Sequence, residues 1–315
     1  MEKVLIISTN ALGDTYLSAS ALKPLRQSNR YSEIHFVTSQ DSHFLIQNLS
    51  VDKVYYLTER SIINIFRLLK EINRNEYGAV FTFFPGIINS FFFHLVKSPL
   101  KAGFPNYVRR DKWYNIPQKG KSKGTKLGRF LWKPDMNYLQ RIQQPLESVK
   151  IESDTILKYV FSSLQTKTTI DRENKYITIH FRSRDRERSI SDGDVIRLCL
   201  GISKTGAESV ILVGGVTDFS KYLLRSCKEN NFQVVIQPSL EDLICLIINA
   251  RVFVGVDSFP LHIADAYNCN FLGIFGPTNP SSVLVNSRKS IRFNYSTYIN
   301  IDVPALTEEI LRVTD

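Results

Sequence analysis

Val4-Leu5-Ile6-Ile7-Ser8-Thr9-Asn10-Ala11-Leu12-Gly13-Asp14 decides the fold. Four consecutive apolar residues suit a strand covered on both faces, as in a parallel sheet with helices above and below it. A polar loop follows, and Ala19, Leu22 and Leu25 then repeat at helical spacing up to about Arg26. The same alternation runs outward from here. Strands are expected at 34–37, 54–57 and 79–83, with helices at 44–48 and 62–72. The rhythm breaks over 105–140, a basic stretch with Gly120, Gly124, Gly128, Pro117 and Pro134 that reads as a long surface loop. After about residue 155 it resumes. Strands are expected at 176–180, 210–215, 232–236, 252–256 and 271–275, helices at 194–204, 219–228, 240–250 and 261–267, and a closing helix at 306–313.

Two such βα runs predict an α/β protein with two Rossmann-like domains, 1–155 and 156–315, facing a cleft. Ligands in such folds bind at the carboxyl ends of the strands. The length of 315 residues suits two domains of about 150 residues each.

The formal charge of +10 directs attention to an anionic partner: nucleic acid, a lipid surface or phosphorylated small molecules. The excess is local. Between 101 and 133 ten basic residues meet only Asp111, and the rest of the chain is near neutral. Cys199, Cys227, Cys245 and Cys269 form no CxxC pair and read as buried, reduced thiols of a cytosolic protein. Met-Glu-Lys leads directly into a strand, with no signal peptide expected. Positions 79–96 carry no formal charge over 18 residues, but Pro85-Gly86 and Asn89-Ser90 divide them into a strand, a turn and a short aromatic helix.

Three segments carry candidate chemistry. In the first loop, Asp14 is either the N-cap of the following helix or a general base that accepts a proton from a weakly nucleophilic hydroxyl. In Gly255-Val256-Asp257-Ser258-Phe259-Pro260-Leu261-His262, a buried strand runs into a helix with proline in its first turn. Backbone N–H groups there suit a diphosphate, Asp257 suits sugar hydroxyls, and His262 shares a helix face with Ser258. The plainer reading is a Ser258 N-cap and a core histidine. Gly273-Ile274-Phe275-Gly276-Pro277-Thr278-Asn279-Pro280, taken alone, is only a turn.

Leu12-Gly13-Asp14, Val256-Asp257-Ser258 with His262, and Phe275-Gly276-Pro277-Thr278 stand in the order found in the ADP-heptose:lipopolysaccharide heptosyltransferases, glycosyltransferase family 9. The chain resembles that family over nearly its whole length. The family has a GT-B fold of two Rossmann-like domains, which the resemblance implies here. It departs after Asp257, where the family usually has Thr-Gly and this chain has Ser258-Phe259, narrowing the site. The resemblance implies an inverting, metal-independent transfer with no cofactor. Asp14 would be its catalytic base, and Asp257, Ser258, His262 and Thr278 would hold the donor sugar and diphosphate. It also implies ADP-heptose as the nucleotide-sugar donor, an acceptor-binding first domain and a donor-binding second one.

His180-Phe181-Arg182-Ser183-Arg184-Asp185-Arg186-Glu187-Arg188-Ser189 follows the first strand of the second domain. In the family this position carries hydroxyl and basic residues against the donor phosphates. Ser183 matches the hydroxyl, and Arg184, Arg186 and Arg188 are candidates for the charge, with Arg184 and Arg188 carried as donor-binding. The plainer reading is a solvated loop of alternating charge. Asp192-Gly193-Asp194 resembles a metal-holding DxD string but directly precedes a helix, so capping explains it better. Gly214-Gly215 with Thr217 and Asp218 lies where a ribose or base would sit.

The basic stretch suits a phosphorylated or carboxylated glycan acceptor, the anionic inner leaflet that holds lipid-linked acceptors, or solvent alone. Arg109 and Arg110, flanked by Tyr107 and Trp113, are the candidate acceptor contacts. The expected location is cytoplasmic, peripheral on the inner membrane. Two other classes compete. A non-catalytic protein binding nucleic acid or an anionic surface draws on the charge, but no nucleic-acid module is present, so no nucleic acid is expected. An oxidoreductase on a similar scaffold lacks its glycine fingerprint in the first loop and an acidic residue at the end of the second strand.

Overall fold

The computed structural model describes residues 2–104, 126–127, 136–153, 158–161, 176–205 and 209–314. The chain divides into two compact units, Met1–Phe161 and Ser162–Asp315.

Unit 1 runs β1 (Glu2–Ser8), α1 (Leu12–Ser18), α2 (Leu22–Gln27), β2 (Tyr31–Ser39), α3 (His43–Ile46), β3 (Lys53–Leu57), α4 (Ile62–Ile72), β4 (Tyr77–Thr82), α5 (Ile87–Leu95), β5 (Leu100–Gly103), β6 (Lys126–Leu127) and α6 (Tyr138–Glu147). Its strands form one parallel sheet in the order β3-β2-β1-β4-β5-β6. Val4, Leu5, Ile6 and Ile7 are all fully buried, which is why β1 reads as an unbroken apolar run. On one face of the sheet Leu5 and Ile7 pack with Leu68 and Leu69 of α4 and Phe92 and Phe93 of α5.

Unit 2 runs β7 (Tyr176–His180), α7 (Asp192–Lys204), β8 (Ser209–Gly214), α8 (Lys221–Glu229), β9 (Gln233–Ile236), α9 (Leu240–Ile248), β10 (Val252–Val256), α10 (Phe259–Ala266), β11 (Phe271–Phe275), β12 (Ser290–Arg292) and α11 (Val303–Thr314). Its parallel sheet has the order β12-β11-β10-β7-β8-β9. Ile177, Ile179, Val252 and Val254 pack against Leu198 and Ile202 of α7 and Leu306 and Ile310 of α11.

Both sheets obey one topological rule. The first strand of each unit lies inside the sheet, and the chain leaves it to one side, then returns to the other. The order therefore reverses between β1 and β4, and again between β7 and β10. At a reversal the loops leaving the two strands diverge to opposite faces and open a crevice at their carboxyl ends. The loops after β1 and β4 meet at one such point, and those after β7 and β10 at the other.

Several expectations are corrected. The first helix begins at Leu12, before the Ala19 expected from spacing, and a single 3₁₀ turn, Ala19–Ala21, separates it from α2. Strand β5, not expected from the sequence, lies just before the stretch read as loop, and the start of α6 falls inside it; Asn137 caps α6 by accepting from Leu139 N–H at 2.8 Å. Strand β12 is three residues long and too short to announce itself by periodicity. The uncharged stretch at 79–96 divides as expected, into β4, a turn and α5. Cys199, Cys227 and Cys245 are buried, but Cys269 is half-buried. Among the described residues no helix is long and apolar enough to cross a membrane.

Candidate functional site

In unit 2 the crevice at the β7/β10 reversal gathers four of the residues singled out in the sequence. Asp257 directly follows β10 and is 4% exposed. Its Oδ2 accepts from Arg188 Nη1 at 3.0 Å and from Thr278 Oγ1 at 2.6 Å. Ser183 Oγ donates to the backbone carbonyl of the same Asp257 at 3.0 Å. Among the described residues no hydrogen bond reaches Oδ1. Arg188 also pairs with Asp185 at 2.8 Å. Burial works against the Arg188 charge, but the two carboxylates outweigh it and hold the guanidinium above its ordinary range.

Local structure explains how these residues reach one another. The loop 183–189 is tied by Ser189 Oγ, which accepts from Ser183 N–H at 2.9 Å, and Ile299 N–H holds Ser189 O at 2.9 Å. The turn after β11 lies directly against this loop. A Cβ on Gly276 would stand 2.8 Å from the Glu187 carbonyl oxygen, so only glycine lets the turn approach and bring Thr278 to Asp257. Arg292 Nε holds Gly276 O at 3.0 Å from the other side.

Ser258 is the N-cap of α10 by position, but its side chain makes no capping bond. Its Oγ lies 3.0 Å from His180 Nδ1 and donates to Val256 O at 3.1 Å. Burial drives the His180 pKa down to about 4, so the imidazole is neutral around pH 7. His262 is buried within α10. Backbone donation at this helix start is narrower than the sequence suggested. Pro260 has no N–H, and Leu261 N–H bonds Ser258 O at 3.1 Å.

Among the remaining arginines, Arg184 and Arg186 are exposed, with no ion pair among the described residues. Arg182 is structural: it pairs with Asp192, donates to Ile190 O, and lies over the rings of Phe181 and Tyr298 at 4.9 and 5.7 Å. The Asp192-Gly193-Asp194 string occupies the first turn of α7, whose cap Ser191 accepts from Asp194 N–H at 3.2 Å. Asp218 accepts from Gly215 N–H at 2.6 Å and so fixes the glycine turn after β8. Among the described residues no group of three or more His, Cys, Asp or Glu is arranged to hold a metal ion.

In unit 1 the β1/β4 reversal holds Asp14. The N-cap of α1 is Ala11, so Asp14 is not a cap; it stands in the first turn, where the helix dipole favours a carboxylate. The β1 and β4 loops are fastened together. Asn89 Oδ1 accepts from both Thr9 N–H and Thr9 Oγ1 at 2.8 Å, and Asn10 Nδ2 donates to Pro85 O at 3.0 Å. Arg141 of α6 lies 5.7 Å above the Phe84 ring, and its charge interacts favourably with Asp14. Burial lowers the Arg141 pKa, and Asp14 acts in the opposite direction. Reading the sequence did not find Arg141, because its helix follows the irregular basic stretch and its partner lies far away in the chain. Arg109 and Arg110, with Tyr107 and Trp113, lie outside the described residues.

Residues 196–299 match the family model of glycosyltransferase family 9 (heptosyltransferase), a span that includes Asp257, Ser258, His262 and Thr278. A lipopolysaccharide heptosyltransferase 1 of Campylobacter coli is 25% identical over 290 residues, covering 88% of this chain and 84% of the relative. Among solved structures, a family 9 glycosyl transferase of Veillonella parvula superposes with a TM-score of 0.74 at 14% identity, covering 99% of this chain and 95% of that one. The E. coli heptosyltransferase WaaC with ADP gives 0.73 at 13% identity, covering 99% and 100%. The two last share the fold, two parallel α/β sheets of the GT-B type. The three motifs stand in the family's order and two of them lie inside the matched span, so the chain is similar to glycosyltransferase family 9 (heptosyltransferase).

Proposed function

We propose that the protein is an inverting glycosyltransferase that moves heptose from ADP-heptose onto a lipopolysaccharide or related bacterial surface glycan. The observation that carries this reading is the convergence of Arg188 and Thr278 on one oxygen of buried Asp257. The carboxylate is fixed through Oδ2, and its Oδ1 is left to accept hydrogen bonds from sugar hydroxyls. Ser183, Arg184, Arg188, Ser258, His262 and Thr278 make up the rest of the donor site, so unit 2 is read as the donor-binding domain.

In the proposed chemistry an acceptor hydroxyl attacks the anomeric carbon. A new C–O bond forms as the bond to the diphosphate breaks, and configuration inverts. The hydroxyl proton passes to Asp14 of unit 1, the acceptor-binding domain. Negative charge builds on the departing ADP, and cationic arginine is the group that answers it. Arg188 sits between two carboxylates, whereas Arg184 is exposed and has no ion pair among the described residues. Arg184 is therefore assigned to the diphosphate and Arg188 to positioning Asp257. The transfer is read as metal-independent and cytoplasmic, with Arg109 and Arg110 contacting an anionic or lipid-linked acceptor. The family match does not favour a non-catalytic binding protein or an oxidoreductase.

A thermal-shift panel of ADP, UDP, GDP, CMP, NAD and ADP-heptose tests the donor. A ligand that binds only the folded chain raises Tm by mass action. ADP and ADP-heptose are expected to stabilise the parent and not Asp257→Ala. Stabilisation by UDP or GDP instead would change the donor, and stabilisation by NAD alone would overturn the reading.

A further inference from the structure

The outer face of α4 has no part in the chemistry above. At 3.6 residues per turn, Leu68, Leu69 and Ile72 point to the core, and Ile62, Ile63, Phe66, Arg67 and Lys70 share the opposite arc. Ile62 and Ile63 are each 72% exposed, and Phe66 is 52% exposed. The Phe66 ring meets Phe91 of α5 edge-on, with centroids 5.4 Å apart. Along α5 the apolar stripe continues through Ile87, which is 77% exposed, to Phe91 and Leu95. An apolar ridge two helices wide therefore lies open to solvent within unit 1.

Cations stand beside it. Lys53, Arg67, Lys70 and Arg74, with Glu71 and Asn75, line a cavity of about 580 Å³. Glu71 is paired with Lys53 at 3.4 Å. Arg67, Lys70 and Arg74 have no ion pair among the described residues.

We propose that this face docks on a bilayer of anionic phospholipid. The ridge would enter the boundary between head groups and acyl chains, and the cavity would take lipid phosphates. Exposed apolar side chains alone suit a protein partner, and cations alone suit any polyanion. Side by side on one helix, they match a surface that is apolar beneath and anionic on top. Docking would hold the chain beside a lipid-linked acceptor, and only that last clause rests on the transferase reading.

Vesicle co-sedimentation of the full chain tests docking without donor or acceptor, so its outcome is independent of the donor panel. The chain should bind phosphatidylglycerol-containing vesicles, ignore pure phosphatidylcholine, and bind less as salt rises. Arg67→Gln with Lys70→Gln should weaken partition about twenty-fold. Ile62→Ser with Phe66→Ser should weaken it roughly tenfold or more. Both pairs are exposed, so Tm should match the parent. Absence of binding to anionic vesicles, equal binding to neutral ones, or partition unchanged by either pair would overturn the proposal. A chain that is dimeric in solution and made monomeric by the Ile62/Phe66 changes would assign the ridge to a second copy, and would overturn it too.

Discussion

Arg188 and Asp257, 69 positions apart in the sequence, form a 3.0 Å ion pair whose carboxylate oxygen is shared with Thr278. The pair closes the crevice at the point where the order of the second sheet reverses. It immobilises Asp257 from one side through Oδ2, and under the proposed function Oδ1 is the oxygen that would meet the donor.

Asp257→Ala should therefore damage both stability and donor binding. It leaves a partly buried guanidinium without its main partner, a change that costs about 3 kcal/mol in comparable pairs. Urea unfolding should register that loss, and calorimetry should show no ADP-heptose binding. Thr278→Val keeps the shape and removes one bond. It should cost about 1 kcal/mol and raise the donor KM without abolishing transfer.

Gly276→Ala should act at a distance. Its Cβ would stand 2.8 Å from Glu187 O, a backbone atom that cannot swing aside. The turn must shift and carry Thr278 from Asp257. Destabilisation of about 1–3 kcal/mol is expected, with a raised donor KM.

The His180–Ser258 contact predicts acid sensitivity. Burial depresses the His180 pKa to about 4, below the unfolded value near 6.5. Between those values the unfolded chain binds the extra proton, so stability from this group is full above about pH 6.5 and declines as pH falls toward 4. The loss at pH 4 is roughly 3 kcal/mol. His180→Asn should flatten this part of the stability–pH profile, measured by urea midpoints between pH 7.5 and 4.5.

Asp14→Asn should lower kcat by about 10²–10⁴-fold while ADP affinity and Tm stay near the parent values. Arg141→Gln should lower kcat with little change in donor KM, and Arg141→Lys should recover part of the loss. A purely structural Arg141 would instead lower Tm and leave kcat intact.

Much of this was legible in the sequence because parallel strands buried on both faces write continuous apolar runs. Val4-Leu5-Ile6-Ile7 and Val252-Phe253-Val254-Gly255-Val256 each announced a strand and, at its end, a candidate site. Thr278 and Ser183 came from motif order, and the structure brings both to Asp257. Local spacing does not encode pairings between distant segments. Ser258 looked like a helix cap, but its hydroxyl turned to His180, a partner set by the β7/β10 adjacency. Arg188 was indistinguishable from its neighbours until the loop was folded against Asp257. Arg141 lay just past a glycine- and proline-rich basic stretch that obscured the start of its helix.

The most direct test is a transfer assay with ADP-heptose and a heptose-free lipid-linked core acceptor, read by mass spectrometry and ADP release. The parent should add one heptose per acceptor and release ADP in equal amount, and Asp14→Asn should do neither at a measurable rate. Product formed at the parent rate by Asp14→Asn would remove Asp14 as the base. Transfer by the parent from a different nucleotide sugar, with none from ADP-heptose, would contradict the proposed donor.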